Sequence, residues 1–447
     1  MEAFKEFERF IAHLCEGLGH ADRHAGLKGY CTGLMLPLAR KSVEPMAASL
    51  EPLRVSARHQ ALHHFVARSE WSDAVVLARV REWVTPFLGL QDGCYWIVDD
   101  TGFAKKGRHS VGVARQYCGQ LGKQDNCQVA VSLSLASIRG SVPIAYQLYL
   151  PEDWAMDAVR RQAAGVPEEV AFATKPTIAL AQIRNALAQG VRPGVVLADA
   201  GYGDETAFRG AITAMGLLYA VGIRPATTVW APDTAPLPPK AWAGHGRPET
   251  RPRRAPGNEP VSVKAFAMGL PPQAWQVVSW REGSHEALSG RFAALRVRPA
   301  RRDSLVTEMR TEEWLLIEWP EGEKEPVKYF LSTAPEYASV EQLVFVTKMR
   351  WRIERDDQDL KQDCGLGHFE GRGWRGFHHH ATLSIAAYGF LMAQRLQMGA
   401  RGEEEIKKNF TQRQAPAVPE GFLPRGSAAR PAPCARLDYD AAHSAEH

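Results

Sequence analysis

The sequence predicts a mixed α/β protein assembled from more than one unit, and three observations predict it. Residues 1–90 carry apolar side chains at helical spacing. Residues 91–200 hold short apolar, β-branched runs divided by Gly-containing turns. A Pro- and Arg-rich stretch from residue 222 then interrupts that pattern before strand-like and helical segments resume. The 447 residues correspond to two or three domains, and 45% hydrophobic with 23% charged residues is ordinary for a soluble globular chain. The net charge of +4 does not by itself imply nucleic acid; local clustering decides that.

In the N-terminal part, Phe4, Phe7, Phe10, Ile11 and Leu14 recur with helical period. Residues 54–66 and 73–84 are further amphipathic candidates, and Ser42 can cap a helix that starts at Val43. Arg23, Lys28, Arg40, Lys41, Arg54, Arg58 and Arg68 make a DNA-binding helical bundle one reading and a packing unit with a solvated basic face the other. The seven cysteines are odd in number and form no CxxC pair, which fits a reducing cytosol better than a disulfide framework or a zinc module. The acidic, amphipathic start is unlike a signal peptide, and no apolar run is long enough to span a bilayer.

The core follows. Residues 94–100 (CYWIVDD) read as a strand ending in two acids, and residues 110–118 and 127–136 complete a three-strand meander. Residues 176–189 read as a helix, and GVVLA (194–198) as a buried strand ending at Asp199. Strand, strand, strand, helix, strand, with an acid on the first strand and one at the end of the fourth, is the order of an RNase H-like fold. From residue 222, many prolines and the segment GHGRPETRPRRAPG precede strand-like runs at 275–280, 292–297 and 314–319, a β-rich insertion. KYFLS (328–332) would return to the main sheet, a charged helix containing Glu354 follows, and an apolar helix spans about 380–397.

The charged helix carries Arg350, Glu354, Asp357 and Lys361 within roughly 60° of one another on a helical wheel. Taken alone, this is a solvated face with i,i+4 ion pairs. Alternatively, Glu354 ligates a metal while Arg350 and Lys361 hold a phosphate backbone. Two-metal phosphodiester cleavage needs acidic oxygen ligands converging on one site, and Mg²⁺ takes few carboxylates besides water and phosphate. The acids available at strand ends are Asp99 or Asp100, and Asp199. Asp99 and Asp100 point to opposite faces of their strand. An isolated Asp at a strand end is often only a cap or turn former.

Taken together, DDTGFAKKG, VLADAGYGD and MRWRIERDDQDLKQ resemble the DDE transposases of bacterial insertion sequences, in the branch that has a β-rich insertion between the second Asp and the Glu. That branch has a Y-x2-R-x3-E-x6-K signature; Arg350, Glu354 and Lys361 match it, and Thr347 stands where the Tyr would be. The resemblance spans about residues 40–395. It implies Asp100, the acid directly before Thr101, with Asp199 and Glu354 as catalytic residues holding two Mg²⁺ or Mn²⁺ ions. Asp99 would be a neighbouring hydrogen-bonding or solvated acid. It implies cleavage of transposon ends and strand transfer into target DNA, with double-stranded DNA as partner and a homodimer on that DNA. Relatives in this branch stack a flipped base on a Trp of the insertion, for which Trp275 and Trp280 compete with Trp242, Trp314 and Trp319. Arg350, Lys361, Lys105, Arg372 and Trp374 are the expected DNA contacts.

The expected organisation is a helical DNA-binding domain over residues 1–90, a catalytic domain split over 91–221 and 327–400, an insertion over 222–326 and a disordered tail over 401–447, in a cytoplasmic protein. A domesticated DNA-binding protein with a degenerate site, and an RNase H-like nuclease without strand transfer, are the competing readings. His378–His380 are read as structural, since consecutive histidines on one element cannot all face one ion.

Overall fold

The computed structural model describes residues 2–242, 244–282, 287–303 and 307–407. The N-terminal part is helical: α1 (Glu2–Cys15), α2 (Asp22–Met35), α3 (Val43–Leu50), α4 (Val55–Ala67) and α5 (Asp73–Leu88). Phe7, Phe10, Ile11 and Leu14 form the buried stripe of α1. Ser72 caps α5 by accepting from the Val75 N–H.

The central sheet is built from β1 (Tyr95–Ala104), β2 (Ala114–Cys118), β3 (Lys123–Ala136), β4 (Ser141–Leu148), β5 (Val195–Ala198) and β6 (Tyr219–Ile223). β4, β3 and β1 are antiparallel neighbours, and β5 and β6 then join β1 in parallel. The helices α6 (Glu152–Ala155), α7 (Ala158–Ala164) and α8 (Lys175–Ala188) connect β4 to β5, and α9 (Ala200–Gly203) and α10 (Thr206–Ala214) connect β5 to β6. This is an RNase H-like core with a helical N-terminal region and a β-rich insertion.

The meander differs from the sequence reading in its membership. β2 pairs only with the outer end of β3, Lys123–Cys127, and the third strand of the meander is β4. Pro143 argues against a strand in the sequence, because it cannot donate to a ladder. β4 tolerates it as an edge strand, with Pro143 opposite Ser134 where the register with β3 shifts. β1 also runs four residues beyond Asp100, held by continuous pairing to β3 as far as Ala104↔Cys127.

The insertion adds β7 (Thr228–Trp230), β8 (Val261–Ser262), α11 (Val263–Met268), β9 (Gln276–Glu282), β10 (Ala287–Pro299) and β11 (Glu313–Trp319). Next, β12 (Lys328–Ser332) pairs antiparallel with β6 on one side and β11 on the other, so core and insertion strands form one hydrogen-bonded sheet.

The last helices are α12 (Val340–Lys348), α13 (Trp351–Gln362) and α14 (Trp374–Lys407). The charged segment is thus two helices with a break at Met349–Arg350. Thr347 causes part of this: its hydroxyl donates back to the Leu343 and Val344 carbonyls at 2.9 Å each, a contact that bends helices. α14 extends past the predicted end near Gln397, and residues 408–447 of the expected tail lie outside the described residues.

α14 packs on the N-terminal helices and on β4. Phe7 and Phe10 of α1 meet Phe390 at centroid distances of 5.3 and 5.4 Å. His378–His380 are all buried and hydrogen-bonded. His378 Nε2 accepts from the Leu148 N–H at 3.2 Å, so its Nδ1–H donates to the Trp374 carbonyl at 3.0 Å. His380 Nε2–H donates to Gly365 O at 2.9 Å, which leaves Nδ1 to accept from the Tyr30 hydroxyl at 2.9 Å. All three are core histidines; His378 and His380 have fixed tautomers, whereas both ring nitrogens of His379 face carbonyl oxygens, Val66 O at 3.1 Å and Trp71 O at 2.9 Å. Among the described residues, no helix is long and apolar enough to cross a membrane.

Candidate active site

The parallel pairing of β1 with β5 ends at Ile97↔Leu197. Continuing that register puts Asp199 level with Asp99, just past the carboxyl end of β5, where open α/β sheets present their crevices. Asp199 leaves the sheet as the N-cap of α9, its Oδ1 accepting from the Gly201 N–H at 2.9 Å. α9 lies so close to β6 that a Cβ on Gly203 would sit 2.1 Å from the Gly222 carbonyl oxygen, so glycine is required there.

Alternation along β1 sends its two acids apart. Asp99 turns toward the α12–α13 junction, where Arg350 Nη2 donates to its Oδ1 at 3.0 Å. Thr101 points the same way and donates to Asp357 of α13, at 2.9 Å to Oδ1 and 2.7 Å to Oδ2. Asp100 turns toward α8, where Lys175 Nζ donates to its Oδ2 at 2.6 Å. Lys175 opens that helix behind the Thr174 cap.

Glu354 lies in the first turn of α13, a stabilising place for an anion, with its side chain 75% exposed and Arg350 Nη1 3.9 Å from Oε1. Arg350 therefore stands between Asp99 and Glu354. Asp199, Arg350 and Glu354 line one open cleft of about 420 Å³, together with Arg224, Lys328 and Lys348.

The acids differ in electrostatics. Burial pushes the Asp99 carboxyl up to about 7, against the pull of Arg350 and with further upward pressure from Asp357, Asp199 and Asp100. Asp357 is also raised by burial, opposed by Lys361 and the Thr101 hydroxyl. Burial alone would lower Arg350, but Asp99, Asp199 and Glu354 together raise it above its ordinary value. Three carboxylates thus act on one guanidinium, and Asp99 also feels Asp357, Asp199 and Asp100, so negative charge gathers around Arg350.

Among the described residues, no three His, Cys, Asp or Glu side chains form a ready-made cage for one ion. The donor set nevertheless fits a hard divalent cation. Asp99 and Asp199 could offer carboxylate oxygens, Glu354 has among the described residues no hydrogen bond and only the 3.9 Å ion pair to Arg350, and Mg²⁺ needs only one or two carboxylates beside water and substrate phosphate.

The other sequence candidates fare differently. Lys361 Nζ is 3.4 Å from Asp357 Oδ2. Lys105 Nζ donates to the Phe369 carbonyl at 3.0 Å, and burial lowers its pKa. Arg372 is exposed. Trp374 is buried, 4.3 Å from the His378 ring. In the insertion, Trp275 packs edge-on against Trp319 at 5.2 Å, Trp280 edge-on against Phe292 at 5.7 Å, and the Trp314 ring N–H donates to Pro335 O. Trp242 is 59% exposed. Sequence reasoning had no role for Asp357 or Lys175. Asp357 falls on the Glu354 face of the wheel, which is the signal that could have found it; Lys175 has none.

The family described as DDE superfamily endonuclease matches residues 13–287, a span that includes Asp99, Asp100 and Asp199 and stops before Glu354. The chain is also similar to a protein of Microchaete diplosiphon named as a probable transposase for insertion sequence element IS701, 32% identical over 166 residues. That stretch is 37% of this chain and 40% of the relative's length, so it spans less than half of either protein. With the family match extending over more than half of the chain, on an RNase H-like core with acids within β1 and just past the end of neighbouring β5, this chain belongs to the DDE superfamily endonucleases.

Proposed function

We propose that this chain is an insertion-sequence transposase that cuts DNA at the ends of its element and joins them to target DNA. The observation that carries the reading is the convergence of strand and helix on one cleft: Asp199 and Glu354 line it, and Arg350 ties Glu354's helix to Asp99. Asp99, Asp199 and Glu354 are the residues that would hold two Mg²⁺ or Mn²⁺ ions. When bound, such ions activate the attacking oxygen and stabilise the leaving 3′-oxygen. The resemblance gave this first place to Asp100. Side-chain direction favours Asp99, because Asp100 faces α8 and Lys175, whereas Asp99 faces the helix junction that carries Glu354.

The rest of the machinery is orientation. Arg350 fixes the Asp99 carboxylate and holds positive charge where phosphate oxygens would arrive. The Thr101–Asp357 contact fastens α13, and with it Glu354, to β1. Double-stranded DNA is the partner, and two copies of the chain on two ends are expected, since both ends have to be brought together. Arg372, exposed beside the core, is retained as a DNA contact; Lys361 and Lys105 would have to exchange their present partners to make one.

The test is Mg²⁺- or Mn²⁺-dependent cleavage of a duplex carrying the element's end by wild type and by Glu354→Gln. Loss of cleavage in the variant, with DNA binding retained, is expected. Equal cleavage by both proteins removes Glu354 from the mechanism.

A further inference from the structure

The cleft that contains Asp199 and Glu354 is lined by four basic residues, and they are not equivalent. Arg350 is engaged by Asp99 at 3.0 Å. Lys348 is held by Glu318 at 2.6 Å, with its ammonium 4.2 Å from the Trp280 ring centroid. Arg224 and Lys328 are both exposed, and among the described residues neither has a side-chain hydrogen bond or an ion pair.

Their placement sharpens the contrast. β6 and β12 pair through Ile223↔Tyr329, so the next step of that register sets Arg224 beside Lys328. Glu318, across from Lys328 on the other side, is taken by Lys348. Two like charges side by side on neighbouring strands repel one another. The cleft's two carboxylates, Asp199 and Glu354, are ion-paired to neither of them among the described residues, and Thr347 is buried and spends its hydroxyl on its own helix. What this pair lacks is a bridging anion, in a cleft that it shares with the carboxylates of Asp199 and Glu354.

We propose that Arg224 and Lys328 form a two-cation clamp for one backbone phosphate of the DNA strand entering this cleft, a phosphate other than the one cut. This rests on the functional reading above, in which DNA enters the cleft. The clamp draws the backbone toward β6 and β12 and leaves the carboxylate wall to the scissile bond. It acts before any metal is needed, so it is a binding site in its own right.

The test uses the full chain, a fluorescein-labelled blunt duplex of about 40 base pairs and EDTA, so that binding is read without cleavage. Affinity is measured from 50 to 200 mM KCl. Each lost phosphate contact flattens the plot of log K against log salt by about 0.9. Arg224→Gln/Lys328→Gln is therefore expected to bind more weakly at low salt, and its loss of affinity across that fourfold range to be about 3.5-fold smaller than in wild type. Arg224→Lys/Lys328→Arg keeps the wild-type slope. An unchanged slope in the Gln variant overturns the clamp.

A second measurement needs no variant. DNA should protect Lys328 of the wild-type protein from acetylation by an N-hydroxysuccinimide ester, and equal labelling with and without DNA also overturns the proposal. Wild-type protein that shows no salt-dependent DNA binding defeats the functional reading itself. Wild-type binding with an unaltered Gln-variant slope defeats only the clamp.

Discussion

Replacing Thr101 with Val isolates the contact that holds the Glu354 helix to the strand of Asp99. Thr101 is fully buried, and its hydroxyl reaches both oxygens of Asp357, at 2.9 and 2.7 Å. Valine has nearly the same shape, so the change removes a donor and leaves little cavity. Among the described residues Asp357 keeps one other side-chain partner, Lys361 at 3.4 Å, which is long for a charge-assisted hydrogen bond. A hydrogen bond to a charged group contributes about 1.5–3 kcal/mol. Since one hydroxyl hydrogen serves both oxygens, the lower half of that range applies, and Thr101→Val should cost about 2 kcal/mol. Hydrogen exchange of the α13 amides reads this locally and does not require the whole chain to unfold in one step. In a double-mutant cycle with Asp357→Ala, the coupling should be about 1.5 kcal/mol. Amide protection in α13 unchanged by Thr101→Val, or costs that simply add, would refute the idea that this contact fastens the helix.

Further expectations concern the supports of the site. Lys348 and Glu318 form a nearly buried pair between α12 and β11, so Lys348→Met should destabilise by about 3 kcal/mol, and Lys348→Met/Glu318→Leu by less than that single change; thermal unfolding distinguishes the two, and a worse double variant contradicts the reasoning. Burial lowers the pKa of His379 and of His380 to about 4. An unfolded histidine titrates near 6.5, so these groups contribute stability above that pH and lose it as the pH falls toward 4, on the order of 3 kcal/mol each. Urea titrations at pH 7 and pH 4.5 should differ less for His380→Gln than for wild type, and equal differences would exclude His380 as a source of acid sensitivity.

Much of this fold was legible because its local signals agree. CYWIVDD and GVVLA are apolar runs that end in acids, and the runs at 275–280, 292–297 and 314–319 became β9, β10 and β11. What was not legible depends on pairing across long separations. Pro143 hides β4, because only the partner strand reveals that it occupies a register shift on an edge. The return of KYFLS to the main sheet was legible, but its partner β6, about a hundred positions away, is encoded by no local pattern. At the site, the Arg350/Glu354/Asp357/Lys361 face was readable from spacing, and its internal ion pairs exist as the bland reading expected. The choice between Asp99 and Asp100 was not readable, since alternation says only that they oppose each other. The face turned toward α13 is set by contacts of Arg350 with Asp99 and of Thr101 with Asp357, residues far apart in sequence. Trp374 was an expected DNA contact, because the His378 ring that packs against it in α14 could not be foreseen.

The central claim is that Asp99, Asp199 and Glu354 act together on DNA, with Arg350 between them. The most direct measurement compares Mn²⁺-dependent cleavage of a duplex bearing the element's end by Asp99→Asn and by Asp100→Asn, each shown to bind that duplex. The account predicts that cleavage falls to background in Asp99→Asn, while Asp100→Asn, which loses its partner Lys175 on the other face of the sheet, keeps most of it. Full activity in Asp99→Asn together with loss in Asp100→Asn would contradict the account.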